Sequence, residues 1–251
     1  STLFPYTTLF RSASQINHRG ALASRELGLP PVAPSSDIAK KILESKGINS
    51  DTIHELTDNE IKKLIDKFAQ VTELCIKAGY DGVELHGANN YLIQQFFSPY
   101  TNRRNDDWGG SDKKRMNFPI QIVDAVCKVR EKYNRPDFII GYRLSPEEPY
   151  EEGITMTDTL KLVRALSAKP IQYIHISQAK YFQKVRRGDG EGQERLKVIH
   201  NETKGKVEAS FSSKMLATIN PDMPILDSRV LANMGLNIPV YLKDVEIHLF
   251  L

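Results

Sequence analysis

Helix and strand signals alternate along residues 57–177, and this alternation restricts the possible folds more than any other feature of the sequence. Thr57 and Glu60 form a T-x-x-E capping box at the start of a helix, apolar residues then recur at helical spacing, and Gly79 ends the helix. A short apolar strand follows at once, and helix and strand then alternate further in the same way. Such alternation predicts right-handed βαβ units around a parallel sheet.

The predicted strand at 138–143 begins with a near-continuous apolar run, as a strand buried on both faces should. The helices are predicted to begin near Thr57, Ser111 and Thr157. The strands are predicted at residues 15–17, 83–86, 138–143 and 173–177. This makes about four strands, whereas a closed α/β barrel has eight.

Composition and charge exclude several classes of protein. The chain has 251 residues, 40% of them hydrophobic and 26% charged, with a formal net charge of +3, and no basic stretch is interleaved with aromatic residues, so nucleic-acid binding is not indicated. No apolar run reaches the ~18 residues of a membrane span and no signal-peptide pattern is present, so a cytoplasmic protein without membrane contact is expected. Cys75 and Cys127 are too far apart for a metal or iron–sulfur framework, so no metal is expected.

Polar side chains stand where the apolar strands end. His86 and Asn89 follow one strand, and Arg143 and Ser177 end the next two. In parallel α/β folds this edge of the sheet carries the active site. The sequence therefore predicts a site at the C-terminal ends of the strands.

Residues 81–92, DGVELHGANNYL, resemble the signature of the Old Yellow Enzyme family, and the similarity extends from about Gln15 to Val207. The other matching blocks are QINHRG at 15–20, QFFSP at 95–99, NRR at 102–104, DDWGGS at 106–111, Arg115 and RLSP at 143–146. The resemblance implies a TIM (β/α)8 barrel with bound FMN, here incomplete, with about four to five of the eight strands. It also implies a reaction in which NADH or NADPH reduces an activated C=C bond.

The resemblance implies a role for five residues. His86 and Asn89, three positions apart at a strand end, would donate hydrogen bonds to one substrate oxygen, as in an oxyanion hole. Tyr91 stands at the proton-donor position and would act as a general acid toward the α-carbon. Arg143 would stabilise the anionic reduced flavin, and Gln15 would hydrogen-bond the same edge of its ring.

Each of these residue types also has a structural interpretation. Asn89 can cap a turn, Tyr91 can pack, and Arg143 can form an ion pair at the mouth of a barrel. The number of matching blocks favours the catalytic and cofactor-binding roles. His175 and Ser177, by contrast, are interpreted as structural residues or as residues that support the site from behind.

The two ends of the chain depart from the family pattern. Thr2–Ser12 match the translation of a common sequencing-adapter oligonucleotide, so residues 1–12 are expected to be an assembly artefact. Residues 13–207 are expected to form a partial FMN-binding barrel. Residues 208–251 do not show the glycine loop and glycine–arginine strand end of the family, and are interpreted as an unrelated or frame-altered tail.

Two functions of different classes remain open. The first is an FMN-dependent oxidoreductase that transfers hydride from NADH or NADPH to the activated C=C bond of a small electrophilic alkene. The second is a non-catalytic fragment that folds poorly and does not retain FMN, because an incomplete barrel leaves unpaired strand edges. A different phosphate-binding barrel is disfavoured by the set of His86, Asn89 and Tyr91. The natural substrate, the choice of nicotinamide nucleotide and the oligomeric state stay open.

Overall fold

Strands and helices alternate in the structure, a computed structural model that describes residues 12–23, 30–45, 53–180, 182–203 and 207–208. In chain order the elements are β1 (Ala13–Ile16), β2 (Val32–Ala33), α1 (Ser36–Ser45), β3 (His54–Glu55), α2 (Asp58–Lys77), β4 (Gly82–Gly87), α3 (Leu92–Phe97), α4 (Asp112–Arg115), α5 (Asn117–Lys132), β5 (Ile139–Leu144), α6 (Met156–Ser167), β6 (Tyr173–Ile176), α7 (Arg195–Thr203) and β7 (Val207–Glu208). Within these ranges β1, β4, β5, β6 and β7 form a five-stranded parallel sheet in that spatial order, and β2 and β3 form a separate parallel pair. The segments expected to be foreign, 1–12 and 208–251, lie outside the described residues except for Ser12 and Glu208.

The register of the sheet sorts its side chains into two faces, because successive residues of a strand point to opposite sides. Val83 and Leu85 of β4, with Ile140 and Tyr142 of β5, are buried in the apolar core together with residues of the helices. The alternate positions are mostly polar or glycine: Gln15, Glu84, His86, Gly141, Arg143 and His175. The sheet therefore has one apolar face against its helices and one polar face, on which the predicted site residues lie.

Helices α2, α5 and α6 contribute to a single apolar cluster with the sheet. Phe68 of α2, Val126 of α5 and Leu166 of α6 are among its buried members. Among the described residues, no helix combines the length and the apolar character that crossing a membrane requires.

Helix α2 begins and ends where the sequence predicts. The hydroxyl of Thr57 accepts a hydrogen bond from the N–H of Glu60, and the Glu60 carboxylate accepts one from the N–H of Thr57 at 2.8 Å. At the other end Gly79 has a φ of +85°, and its N–H donates to the carbonyl of Ile76 at 3.1 Å. A side chain is disfavoured at this φ, so the glycine allows the chain to turn directly from α2 into β4.

The helix predicted from Ser111 is interrupted, so that prediction is wrong in one respect. Ser111 does cap a helix, because its hydroxyl accepts a hydrogen bond from the N–H of Lys114. That helix ends at Arg115, and α5 begins at Asn117. Pro119 explains the break: it has no N–H for the carbonyl of Arg115, and its ring occupies the space that this carbonyl would need.

Gly141→Ala is expected to destabilise the sheet by about 1–3 kcal/mol, the usual cost of overpacking. A β-carbon at this position would overlap the ring of Tyr173, the register neighbour of Gly141 on β6. The free energy of unfolding in urea measures the loss. Combining Gly141→Ala with Tyr173→Leu should recover part of it, and a double variant no better than the single one would show that this overlap is not the cause.

Candidate active site

The turn after β4 folds back over the end of its own strand. Asn89 and Asn90 have φ values of 57° and 60°, in the left-handed region that asparagine enters more easily than most residues. The N–H of Tyr91 donates to the carbonyl of Ala88 at 3.0 Å, and α3 begins directly after Tyr91. The turn thereby brings the side chains of Asn89 and Tyr91 next to His86.

His86 is held in one tautomer. It is 3% exposed, and its Nδ1 accepts a hydrogen bond from the N–H of Ala88 at 3.2 Å. A neutral imidazole has one N–H and one bare nitrogen, so an accepting Nδ1 assigns the proton to Nε2. His86 is therefore an N–H donor at Nε2.

The amide of Asn89 is oriented by a similar constraint. Its Oδ1 accepts a hydrogen bond from the hydroxyl of Ser177 at 3.0 Å, which leaves Nδ2 as the donor end of the side chain. Nδ2 lies 3.4 Å from Nε2 of His86, and because both atoms carry hydrogen they do not bond to each other. The two donors are close enough to be shared by one acceptor oxygen.

Tyr91 stands beside these two donors. The centroid of its ring is 4.8 Å from that of His86, with the ring planes inclined by 39°. The guanidinium carbon of Arg19 lies 5.8 Å from the same Tyr91 centroid, within the range of a cation–π contact. Sequence reasoning missed Arg19, because no local pattern connects the loop after β1 with the start of α3.

Arg143 occupies the register position next to His86, on β5. Its Nη2 donates to the hydroxyl oxygen of Ser177 at 3.0 Å, whereas its Nε is buried and has no hydrogen-bond partner among the described residues. Burial lowers the pKa of Arg143, and the negative charge of Glu84 opposes that shift. A buried donor of this kind fits an acceptor atom of a bound ligand, such as a carbonyl oxygen of a flavin ring.

Gln15 of β1 lies beside Glu84 of β4, which precedes His86 by two residues, and the two belong to a buried polar cluster. Its side-chain N–H donates to one carboxylate oxygen of Glu84, and Nδ1 of His175 lies 2.7 Å from the other. Burial by itself raises the pKa of Glu84, but hydrogen bonds from His175 and Gln15 outweigh this effect and lower it. Sequence reasoning did not select Glu84, although a carboxylate inside an apolar strand was the available signal.

The structure thus brings four of the five predicted residues together at one edge of the sheet, and the fifth lies on the same face. The four are His86, Asn89, Tyr91 and Arg143. Ser177 links two of them, since its hydroxyl accepts from Arg143 and donates to Asn89.

The model of the NADH:flavin oxidoreductase / NADH oxidase family matches residues 13–222. This chain belongs to that family. Members of the family use FMN with NADH or NADPH as the reductant, as the resemblance to Old Yellow Enzyme implied.

Individual members of the family support the assignment. The chain is 43% identical over 202 residues to the probable NADH-dependent flavin oxidoreductase YqiG of Bacillus subtilis, an alignment that covers 78% of this chain and 51% of the relative. It is 42% identical over 169 residues to the NADH:acrylate oxidoreductase of Vibrio harveyi, covering 66% of this chain and 16% of the relative. The chain therefore spans about half the length of the Bacillus relative and a smaller share of the Vibrio one.

A solved structure shows the same fold. The Old Yellow Enzyme homologue from Zymomonas mobilis superimposes with a TM-score of 0.61 at 20% sequence identity, over 83% of this chain and 60% of that one. The fold is accordingly that of the family's TIM barrel, of which the five parallel strands of the described residues form a part. The resemblance and the fold class inferred from the sequence are both confirmed.

Proposed function

We propose that this chain carries the substrate-binding and proton-donating site of an FMN-dependent oxidoreductase that uses NADH or NADPH to reduce an activated C=C bond. The observation that carries the proposal is the pair of N–H donors, Nε2 of His86 and Nδ2 of Asn89, 3.4 Å apart at the C-terminal edge of the sheet. The substrate class is a small electrophilic alkene, such as an enone or enal, whose conjugated oxygen accepts both hydrogen bonds. The Vibrio relative is named for acrylate, an alkene conjugated to a carboxylate, which supports this class.

The two donors act on the charge that develops during the reaction. A bound FMN would supply hydride-transfer chemistry, between the nicotinamide nucleotide and the β-carbon of the alkene. His86 and Asn89, already oriented by Ala88 and Ser177, stabilise the negative charge that builds on the conjugated oxygen more strongly than they bind the neutral carbonyl. Tyr91 donates its phenolic proton to the α-carbon and completes the saturated product.

Arg143 and Gln15 are the residues that would hold the flavin ring. The buried Nε of Arg143 would donate to a carbonyl oxygen of the ring, and the charge of Arg143 would favour the anionic reduced form. Gln15 donates its amide N–H to Glu84, so its carbonyl oxygen is the atom that would accept from an N–H of the ring.

Tyr91→Phe is expected to lower the rate of alkene reduction by about 10²–10⁴-fold, the usual contribution of a positioned general acid, while NADH still reduces the bound FMN. The experiment uses the full chain with added FMN. Stopped-flow absorbance would follow the reduction of FMN by NADH and its reoxidation by a small enone as two separate steps. The step with the enone should be the one that slows.

Tyr100→Phe is the matched control for this test. The Tyr100 ring stacks on that of Tyr150 at a centroid distance of 4.3 Å, and the hydrogen bonds of Tyr100 within the described residues go to Ser98 and Arg103, so this variant should reduce the enone at the wild-type rate. If both variants behave alike, Tyr91 is not the proton donor. If the wild-type chain binds no FMN, the proposal fails and the chain is the non-catalytic alternative.

A further inference from the structure

Glu84 is a carboxylate in the middle of a buried strand. It lies between Val83 and Leu85 on β4 and is 1% exposed. Burial of a charged carboxylate is unfavourable unless the carboxylate is paired and hydrogen-bonded. The groups that bind Glu84 must therefore stabilise its charge, and they show what the carboxylate does in the fold.

Both carboxylate oxygens of Glu84 are used, and the partners come from two other strands. One oxygen accepts from the side-chain N–H of Gln15 on β1, and the other lies 2.7 Å from Nδ1 of His175 on β6. His175 is itself buried, at 4% exposure. Strand β5 runs between β4 and β6, and its residue beside Glu84 is Gly141, so no side chain of β5 intervenes at this level of the sheet.

Glu84 and Arg143 lie on neighbouring strands and on the same face of the sheet, so their charges can interact. Arg143 is the register neighbour of both His86 and His175, two residues along the strand from Gly141. Burial lowers the pKa of Arg143 and the negative charge of Glu84 opposes that shift, while the positive charge of Arg143 helps to lower the pKa of Glu84. In a medium of low polarity such an interaction persists over several ångströms.

We propose that Glu84 is a positioning residue that sets the electrostatic potential at the flavin ring. It fixes the amide of Gln15 so that the carbonyl oxygen is the atom left for the ring, it holds the imidazole of His175 through Nδ1, and it offsets part of the positive charge of Arg143. This inference rests on the proposed function, because Gln15 and Arg143 are the residues that would hold FMN.

Glu84→Gln tests the inference, because it removes the charge and keeps the shape of the side chain. With Arg143 no longer offset, the anionic reduced flavin is favoured, so the ratio of reduced to oxidised FMN at a fixed potential should rise at least tenfold. For a two-electron couple this is an upward shift of about 30 mV in the midpoint potential. Equilibration of the FMN-loaded full chain with a reference dye measures the shift.

Two further variants separate charge from packing. Glu84→Asp keeps the charge and should return the midpoint potential toward the wild-type value. His175→Asn leaves the Glu84 carboxylate in place and keeps an N–H donor near the position of Nδ1, so it should change the ratio of reduced to oxidised FMN by less than threefold. A Glu84→Gln variant with an unchanged potential, or a Glu84→Asp variant shifted as much as Glu84→Gln, would overturn the inference.

A readout without flavin distinguishes failure of this inference from failure of the proposed function. In NMR spectra of the flavin-free chain, the Nδ1 proton of His175 should resonate downfield, disappear in His175→Asn and move upfield in Glu84→Gln. A wild-type chain that binds no FMN overturns the proposed function, and the NMR result then decides whether Glu84 positions His175. An imidazole signal unaffected by Glu84→Gln overturns the positioning role.

Discussion

Replacing His86 and Asn89 together by alanine is expected to lower kcat/KM for alkene reduction by about 10³-fold or more. One preorganised donor to a developing oxyanion contributes about 10²–10³-fold, and two donors that act on the same oxygen combine less than additively. The loss should fall mainly on kcat, because the charge that the donors stabilise develops during the reaction. Steady-state assays of the FMN-loaded chain with NADH and a small enone measure it.

Asn90→Ala is the control for the turn itself. Asn90 shares the left-handed backbone of Asn89, with a φ of 60°, but its Oδ1 accepts from the side chain of Gln94 at 2.9 Å. Asn90→Ala therefore also places an alanine at a left-handed backbone position, but it leaves His86 and Asn89 in the site. A double variant that is no slower than Asn90→Ala would show that His86 and Asn89 do not act on the substrate oxygen.

Glu147→Ala is expected to reduce the free energy of unfolding by about 3–5 kcal/mol, the cost of leaving one partner of a buried ion pair uncompensated. Glu147 accepts from Nε of Arg195 at 2.6 Å and from the backbone N–H of Arg187 at 2.9 Å. Arg195 is 3% exposed, and burial lowers its pKa while the charge of Glu147 opposes that shift. Without Glu147 a buried guanidinium and a backbone donor lose their acceptor. Urea unfolding monitored by circular dichroism gives the difference.

Two comparisons identify the buried pair as the cause. Lys197 lies on the same helix as Arg195 and pairs with Glu194, the residue before that helix, so Lys197→Ala breaks an exposed pair and should cost less than about 1 kcal/mol. The double variant Glu147→Met with Arg195→Met removes both charges and should be more stable than Glu147→Ala, since no unpaired charge remains buried. A loss in Glu147→Ala no larger than in Lys197→Ala would contradict the prediction.

The loop that precedes α7 is packed more closely than its composition indicates. Residues 180–192 have the polar, glycine-containing composition of a solvated loop. In the structure Val185 is buried, and the backbone of Arg186 donates to Glu147, so part of this loop is packed against the chain. Composition describes the average polarity of a segment. It does not show that one apolar side chain, Val185, and one buried acceptor, Glu147, hold this polar loop against the rest of the chain.

Helices α2 and α6 and strands β1, β4, β5 and β6 were predicted correctly because their signals are local. The capping box of Thr57 and Glu60, the glycine at 79 and the apolar runs of the strands each act over a few residues. The interruption at Met116 also has a local cause in Pro119, but one that a stripe of apolar residues conceals, since Pro119 does not disturb the spacing. The pairing of β2 with β3 was not predicted, because two-residue strands have no periodicity to detect.

The sequence by itself determined the alternating parallel fold, the family resemblance and the identity of His86, Asn89 and Tyr91 as one unit. These three residues stand within six positions at the end of one strand, so a single turn brings them together. The tertiary structure alone decided the contacts of Glu84 with His175 and of Ser177 with Asn89. These contacts join residues 91 and 88 positions apart in the sequence, so they depend on how distant strands pack side by side, whereas the local signals act over a few residues.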